Sequence, residues 1–142
     1  MFSPATAPDV TETVVEAIRE HRKYLNSGSR YITEHHTSKE IVGRFSAVAE
    51  AVVESGLHIR FSTRYGEPPR FIEERTVQFE AYAQCTGHGC INPEHKAPAS
   101  AVFLLDSDAD ETAPAALPLV AAVRAWAQKH AETCRALPYT AR

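Results

Sequence analysis

Two short segments of the chain concentrate side chains that bind metal ions. Residues 84–96 read QCTGHGCINPEHK and carry Cys85, His88, Cys90 and His95, and far downstream HAETC carries His130 and Cys134. All three cysteines of the chain fall in these two segments. Four residues separate Cys85 from Cys90, and Gly87 and Gly89 lie between them, which permits the tight backbone that points two sulfurs at one ion. His130 and Cys134 stand four positions apart, the spacing that puts two side chains on one side of a helix, about one turn apart. Two thiolates from a turn plus an imidazole and a thiolate from a helix make a closed set of four donors, the pattern of a structural zinc site. Zn2+ is therefore the expected cofactor. Two alternatives stay open. His88 offers the two-residue separation from Cys85 of a common zinc knuckle, with Cys90 left as a spare thiol. Cysteine is also among the residue types most often buried, so HAETC could be a packed helix face.

The rest of the chain must position these donors. Its 142 residues, 44% of them hydrophobic, suffice for one globular domain. A formal charge of −3 excludes an overall positive field, so a nucleic-acid role would need a local basic patch. No run approaches the roughly 18 apolar residues of a membrane span. The opening MFSPATAPDV has neither a basic nor a hydrophobic signal region, which predicts a cytoplasmic protein with no membrane partner. In a reducing compartment an odd cysteine count points to metal or reactive thiols before disulfides.

Apolar steps of three and four residues through Val10, Val14, Ala17, Ile18, His21 and Leu25 predict a first helix that stops near Asn26. Thr37 and Glu40 have capping-box spacing, and Ile41, Phe45, Val48, Ala49, Val52 and Val53 form a stripe, which predicts a second helix over 38–55 closed by Gly56. From Leu57 the period changes to two. Leu57, Ile59 and Phe61, then Val77, Phe79, Ala81, Ala83 and Cys85, predict a hairpin whose second strand delivers Cys85 to the knuckle. ASAVFLLD suggests a third strand, DSDADETAPAALP an acidic loop with little capacity to pack, and residues 118–136 a last helix. The expected fold is α+β: a helical part over 1–56, and a part over 57–142 in which zinc joins a hairpin or small sheet to the C-terminal helix.

CTGHG followed by WAQKHAETCRALP resembles small uncharacterised zinc-binding proteins of actinobacteria and their phages, which pair a CTGCG-type knuckle with a C-terminal HAxxCR helix. That likeness covers about the last third of the chain. The family has a cysteine at the position of His88, which implies His88 as a ligand in place of Cys90. CTGHGCINPEH also resembles the C-x4-C-[VI]NPxH half-motif of HNH-type endonucleases, which implies that Asn92 shapes the loop and His95 binds a catalytic divalent ion. Those enzymes place a general-base histidine just before the first cysteine, where this chain has Tyr82, Ala83 and Gln84.

Three functional classes follow. The favoured one is a non-catalytic, zinc-stabilised binding or adaptor module. Its candidate surface is His58, Arg60 and Arg64 with Arg70 and Arg75, facing phosphates or acidic side chains of a protein or nucleic acid. The others are an HNH-like nuclease, possibly degenerate, and a phage-type assembly protein that forms homo-oligomers through the N-terminal helices.

Overall fold

The computed structural model describes residues 7–26, 35–65 and 73–138. Its scaffold is an antiparallel sheet of three long strands in the order β1 (His35–Ser46), β2 (Val52–Tyr65) and β3 (Glu73–Cys85). Two short strands, β5 (Glu94–Lys96) and β6 (Phe103–Leu104), pair with different stretches of β3. The expected β2–β3 hairpin is present, in a register that places Leu57 opposite Ala81, Ile59 opposite Phe79 and Phe61 opposite Val77. All six are buried, because alternation sends these residues to one face. Helix α1 (Ala7–Asn26) brings Val10, Val14, Val15 and Ile18 to the same core, and α3 (Leu117–Thr133) brings Val120, Val123, Ala127 and Ala131. Burying each large side chain of this set contributes about 1.5–3 kcal/mol.

Among the described residues there is one N-terminal helix, not two. The stretch expected to be helical over 38–55 forms most of β1, a tight loop and the start of β2. Thr37 and Glu40 make no capping box; they lie opposite Arg60 and Leu57 in the ladder. Val48 is 54% exposed, and Ile41 and Val52 38% each, whereas Val42, Phe45, Ala47, Ala51 and Val53 are buried. The helix-like steps run from the exposed Ile41 through the buried Phe45 and the loop residue Val48 to the exposed Val52, and a register shift between Ile41 and Gly43 also breaks the strand alternation. Gly56 ends no helix. It sits mid-strand, where a Cβ would lie 2.3 Å from the Tyr82 ring. The apolar stripe of α1 lies in the core, and among the described residues no second N-terminal helix shares the oligomerising role expected of the pair.

The acidic stretch does pack. It folds into α2 (Ala109–Thr112) and a 3-10 turn (Ala113–Ala116) that leads directly into α3, with Ala109, Thr112, Ala113 and Ala116 buried. The Asp108 carboxylate caps α2 by accepting from the Asp110 N–H at 2.9 Å. Arg22 of α1 donates to the carbonyls of Leu105 and Ser107, fastening the first helix to this region. Of the third strand expected in ASAVFLLD, only Phe103–Leu104 pairs. Among the described residues no helix is long and apolar enough to cross a membrane.

Candidate metal centre

Strand β3 ends at Cys85, and the chain turns back on itself at once. The Cys85 N–H donates to the Pro93 carbonyl at 2.6 Å, closing residues 85–93 into a knuckle. Thr86 anchors this knuckle to β2, its N–H and hydroxyl both donating to the Val52 carbonyl at 2.9 Å. Inside it the Gly87 N–H points at the Cys85 sulfur (3.3 Å), and Gly89 adopts the left-handed φ of 75° that glycine tolerates best. Cys90 follows on the same turn.

The other pair arrives on α3. His130 is in its last turn, and Cys134 is the residue that ends it, with extended backbone (φ −72°, ψ 126°) and its N–H donating to the His130 carbonyl at 2.7 Å. The helix thus stops at Thr133, short of the expected end, and Cys134 reaches the knuckle from the first residue beyond it. Just after Cys134, β7 (Leu137–Pro138) pairs with β4 (Gly87–His88). Backbone hydrogen bonds therefore fasten the two segments together beside their donors.

The sulfurs of Cys85, Cys90 and Cys134 and a ring nitrogen of His130 all lie within 4.8 Å of one another, close enough to hold one metal ion. Cys134 Sγ is 3.8 Å from Cys85 Sγ and 3.9 Å from Cys90 Sγ, and Cys90 Sγ is 3.4 Å from His130 Nε2. Zinc–sulfur bonds of about 2.3 Å and zinc–nitrogen bonds of about 2.0–2.1 Å at tetrahedral angles require sulfur–sulfur separations of roughly 3.8 Å and sulfur–nitrogen separations of roughly 3.6 Å. These three separations match three of the six edges, and the other pairs lie within 4.8 Å. A disulfide, with sulfurs about 2.05 Å apart, does not fit, and all three cysteines are free. Cys85 also belongs to the apolar core and Cys90 and Cys134 pack against its edge, so the segment HAETC both packs and brings its donors near those of the knuckle.

Burial pushes the Cys85 thiol up to about 11, while the Gly87 N–H acts in the opposite direction. Burial also lowers His130, which keeps its imidazole neutral and its Nε2 lone pair available. A neutral imidazole can coordinate a cation without losing a proton, whereas the Cys85 thiol must release its proton to do so.

His88 lies outside this group, exposed on β4. His95, on β5, stacks on Trp126 at 5.5 Å and 7° between planes, and Trp126 stacks on His130 at 4.6 Å and 10°. Sequence reasoning missed this ladder; the four-residue step from Trp126 to His130 was its only local signal.

The candidate basic surface is divided. His58 and Arg60 lie on the open face of the sheet, the Arg60 guanidinium paired with Glu80 at 2.9 Å. Arg75 alternates with Val77 onto the helix-covered side, where it acts on His21. The Arg64 side chain and Arg70 lie outside the described residues. The structure adds neighbours to the open face: Lys39 stands 5.4 Å over the Tyr82 ring, His58 tilts against that ring at 4.9 Å, and Lys96 lines the same groove of about 570 Å3. His21, on the apolar stripe of α1, stacks with Phe61 at 4.0 Å, and the exposed His36 lies parallel to the same ring at 6.2 Å.

No family model, no curated protein and no solved structure matches the chain.

Proposed function

We propose that the chain is a zinc-stabilised, non-catalytic binding module. In this reading Cys85, Cys90, His130 and Cys134 hold a structural zinc that fastens the end of the sheet to the C-terminal helix. The observation that carries it is the donor separations of 3.4–3.9 Å between segments about 45 residues apart, which suit the edges of one tetrahedron. A four-donor shell leaves no position for a reacting water, so the metal's contribution is to folding free energy and the working surface lies elsewhere. The separations favour Cys90 over His88 as the fourth ligand. The likeness of CTGHG and HAETC to actinobacterial and phage zinc-binding proteins agrees with a zinc site of this kind.

The working surface in this reading is the open face of the sheet. Lys39, His58, Arg60 and Lys96 surround the Tyr82 ring there, an arrangement suited to carboxylates or phosphates of a protein or nucleic acid. Glu80 and Glu94 line the same groove and limit its positive charge, so binding would be modest and sensitive to salt. Elemental analysis of the purified protein tests the reading at its root: about one zinc per chain is expected. Chelation should then unfold the protein cooperatively. Absence of zinc, or a melt that a chelator leaves unchanged, would contradict it.

A further inference from the structure

A metal-binding histidine needs its ring held in one orientation, and proteins usually do this by hydrogen-bonding the second ring nitrogen to a carboxylate or carbonyl. His130 lacks that device. Its Nε2 faces Cys90 Sγ at 3.4 Å, and among the described residues no other protein group hydrogen-bonds the ring. What contacts the ring instead is Trp126, one helical turn earlier on α3, stacked face to face at 4.6 Å with 10° between planes. Trp126 is in turn stacked with His95 at 5.5 Å and 7°. His95 belongs to β5, which is hydrogen-bonded to β3 opposite Ala83, two residues before Cys85. The three parallel rings thus run from the sheet that supplies one ligand to the helix that supplies another.

We propose that Trp126, gripped between His95 and His130, is a positioning residue of the metal centre: it fixes the plane of the His130 imidazole so that Nε2 meets the three sulfurs. This rests on the zinc reading above and deepens it. It also gives His95, the last residue of the NPEH motif, a role as a backstop to the stack. Rings in parallel contact resist rotation about the His130 side-chain bonds, and His95 prevents Trp126 from swinging away. Losing such support should cost about 10-fold in metal affinity, the lower end of what outer-shell partners contribute.

The test is Co2+ and Zn2+ titration of the full chain, with a chromophoric chelator as competitor, in wild type, Trp126→Leu, Trp126→Phe and His95→Ala. Wild type should bind one Co2+ with the intense visible bands of a tetrahedral thiolate site. Trp126→Leu should bind about 10-fold more weakly with shifted bands, Trp126→Phe should recover most of both, and His95→Ala should fall between. A side chain that merely packs would lower the melting temperature and leave the band positions alone. His95→Ala removes a half-buried ring from a short edge strand, so it remains informative if Trp126→Leu does not fold. Wild-type affinity and wild-type bands in His95→Ala, or in Trp126→Leu, would overturn the positioning role while leaving the zinc reading intact. Failure of the wild-type protein to take up either ion would remove both.

Discussion

A Cβ placed on Gly87 would stand 2.6 Å from the Cβ of Ala136, with the Cys85 sulfur only 3.2 Å away on another side. The knuckle and the segment that follows α3 therefore meet with no space for a methyl group, next to two of the candidate ligands. Gly87→Ala should cost about 1–3 kcal/mol through overpacking, because its neighbours here are backbone-bound and cannot turn aside. Nothing lies within 4 Å of a Cβ at Gly89, so its demand is conformational, and Gly89→Asn should keep nearly full stability. Urea unfolding of the zinc-loaded variants measures the difference; equal losses at both glycines would show that the close approach to Ala136 is not there.

Cys90→Ser should weaken zinc binding by more than the ~100-fold that losing an outer-shell partner can cost, and His88→Ala should leave affinity nearly unchanged. The basis is position: Cys90 Sγ is 3.4 Å from His130 Nε2, while His88 is exposed and outside the four-donor group. Chelator competition on the two variants decides the assignment, and the opposite ranking would make His88 the fourth ligand.

Acid should destabilise the protein through His21. Burial lowers its pKa from 6.5 to about 4, helped by His36 and Arg75. Between those values the unfolded chain binds the proton and the folded chain does not, so stability is full above pH 6.5 and falls as pH drops towards about 4. His21→Phe keeps a ring against Phe61 and removes the titration. Its stability should therefore change less with pH across this window than that of wild type, as read from urea midpoints at a series of pH values. Parallel pH profiles would show that His21 is not buried in its neutral form.

Glu50 occupies the loop joining β1 to β2 with φ at 71°, a left-handed conformation that a side chain disfavours by roughly 1–2 kcal/mol. Glu50→Gly should raise stability by up to about 1 kcal/mol once the extra freedom of glycine in the unfolded chain is subtracted. A shift of the denaturant midpoint upward at constant slope is the expected readout, and a downward shift would contradict this loop geometry.

What the sequence revealed follows from how local each constraint is. Metal donors must be close in sequence to share an ion from one turn or one helix end, so the Cys85–Cys90 and His130–Cys134 pairs could be recognised without a structure. Period-two alternation was equally plain from Leu57 to Phe61 and from Val77 to Cys85, where no bulge interrupts the ladder. The same rule misled over 38–55, because the exposed Ile41, Val48 and Val52 fall at three- and four-residue steps with the buried Phe45 and the register shift after Ile41 hides the alternation. The density of β-branched residues there, Ile41, Val42, Val48, Val52 and Val53, was the signal for a strand. Ala109, Thr112, Ala113 and Ala116 follow helical spacing too, but small side chains among acids and prolines give a weak apolar pattern. The His95–Trp126–His130 ladder depends on β5 docking beside α3, a tertiary contact with no trace in local sequence.

In the proposed centre three sulfurs and one nitrogen of this chain surround a single zinc ion. X-ray absorption at the zinc edge on the purified protein tests it most directly. The account predicts three sulfur scatterers at about 2.3 Å and one nitrogen at about 2.0–2.1 Å, with the multiple scattering of one imidazole and no second metal nearby. A shell of two sulfurs and two nitrogens would move the fourth ligand to His88, and a shell of oxygens and nitrogens without sulfur would contradict the Cys3His centre outright.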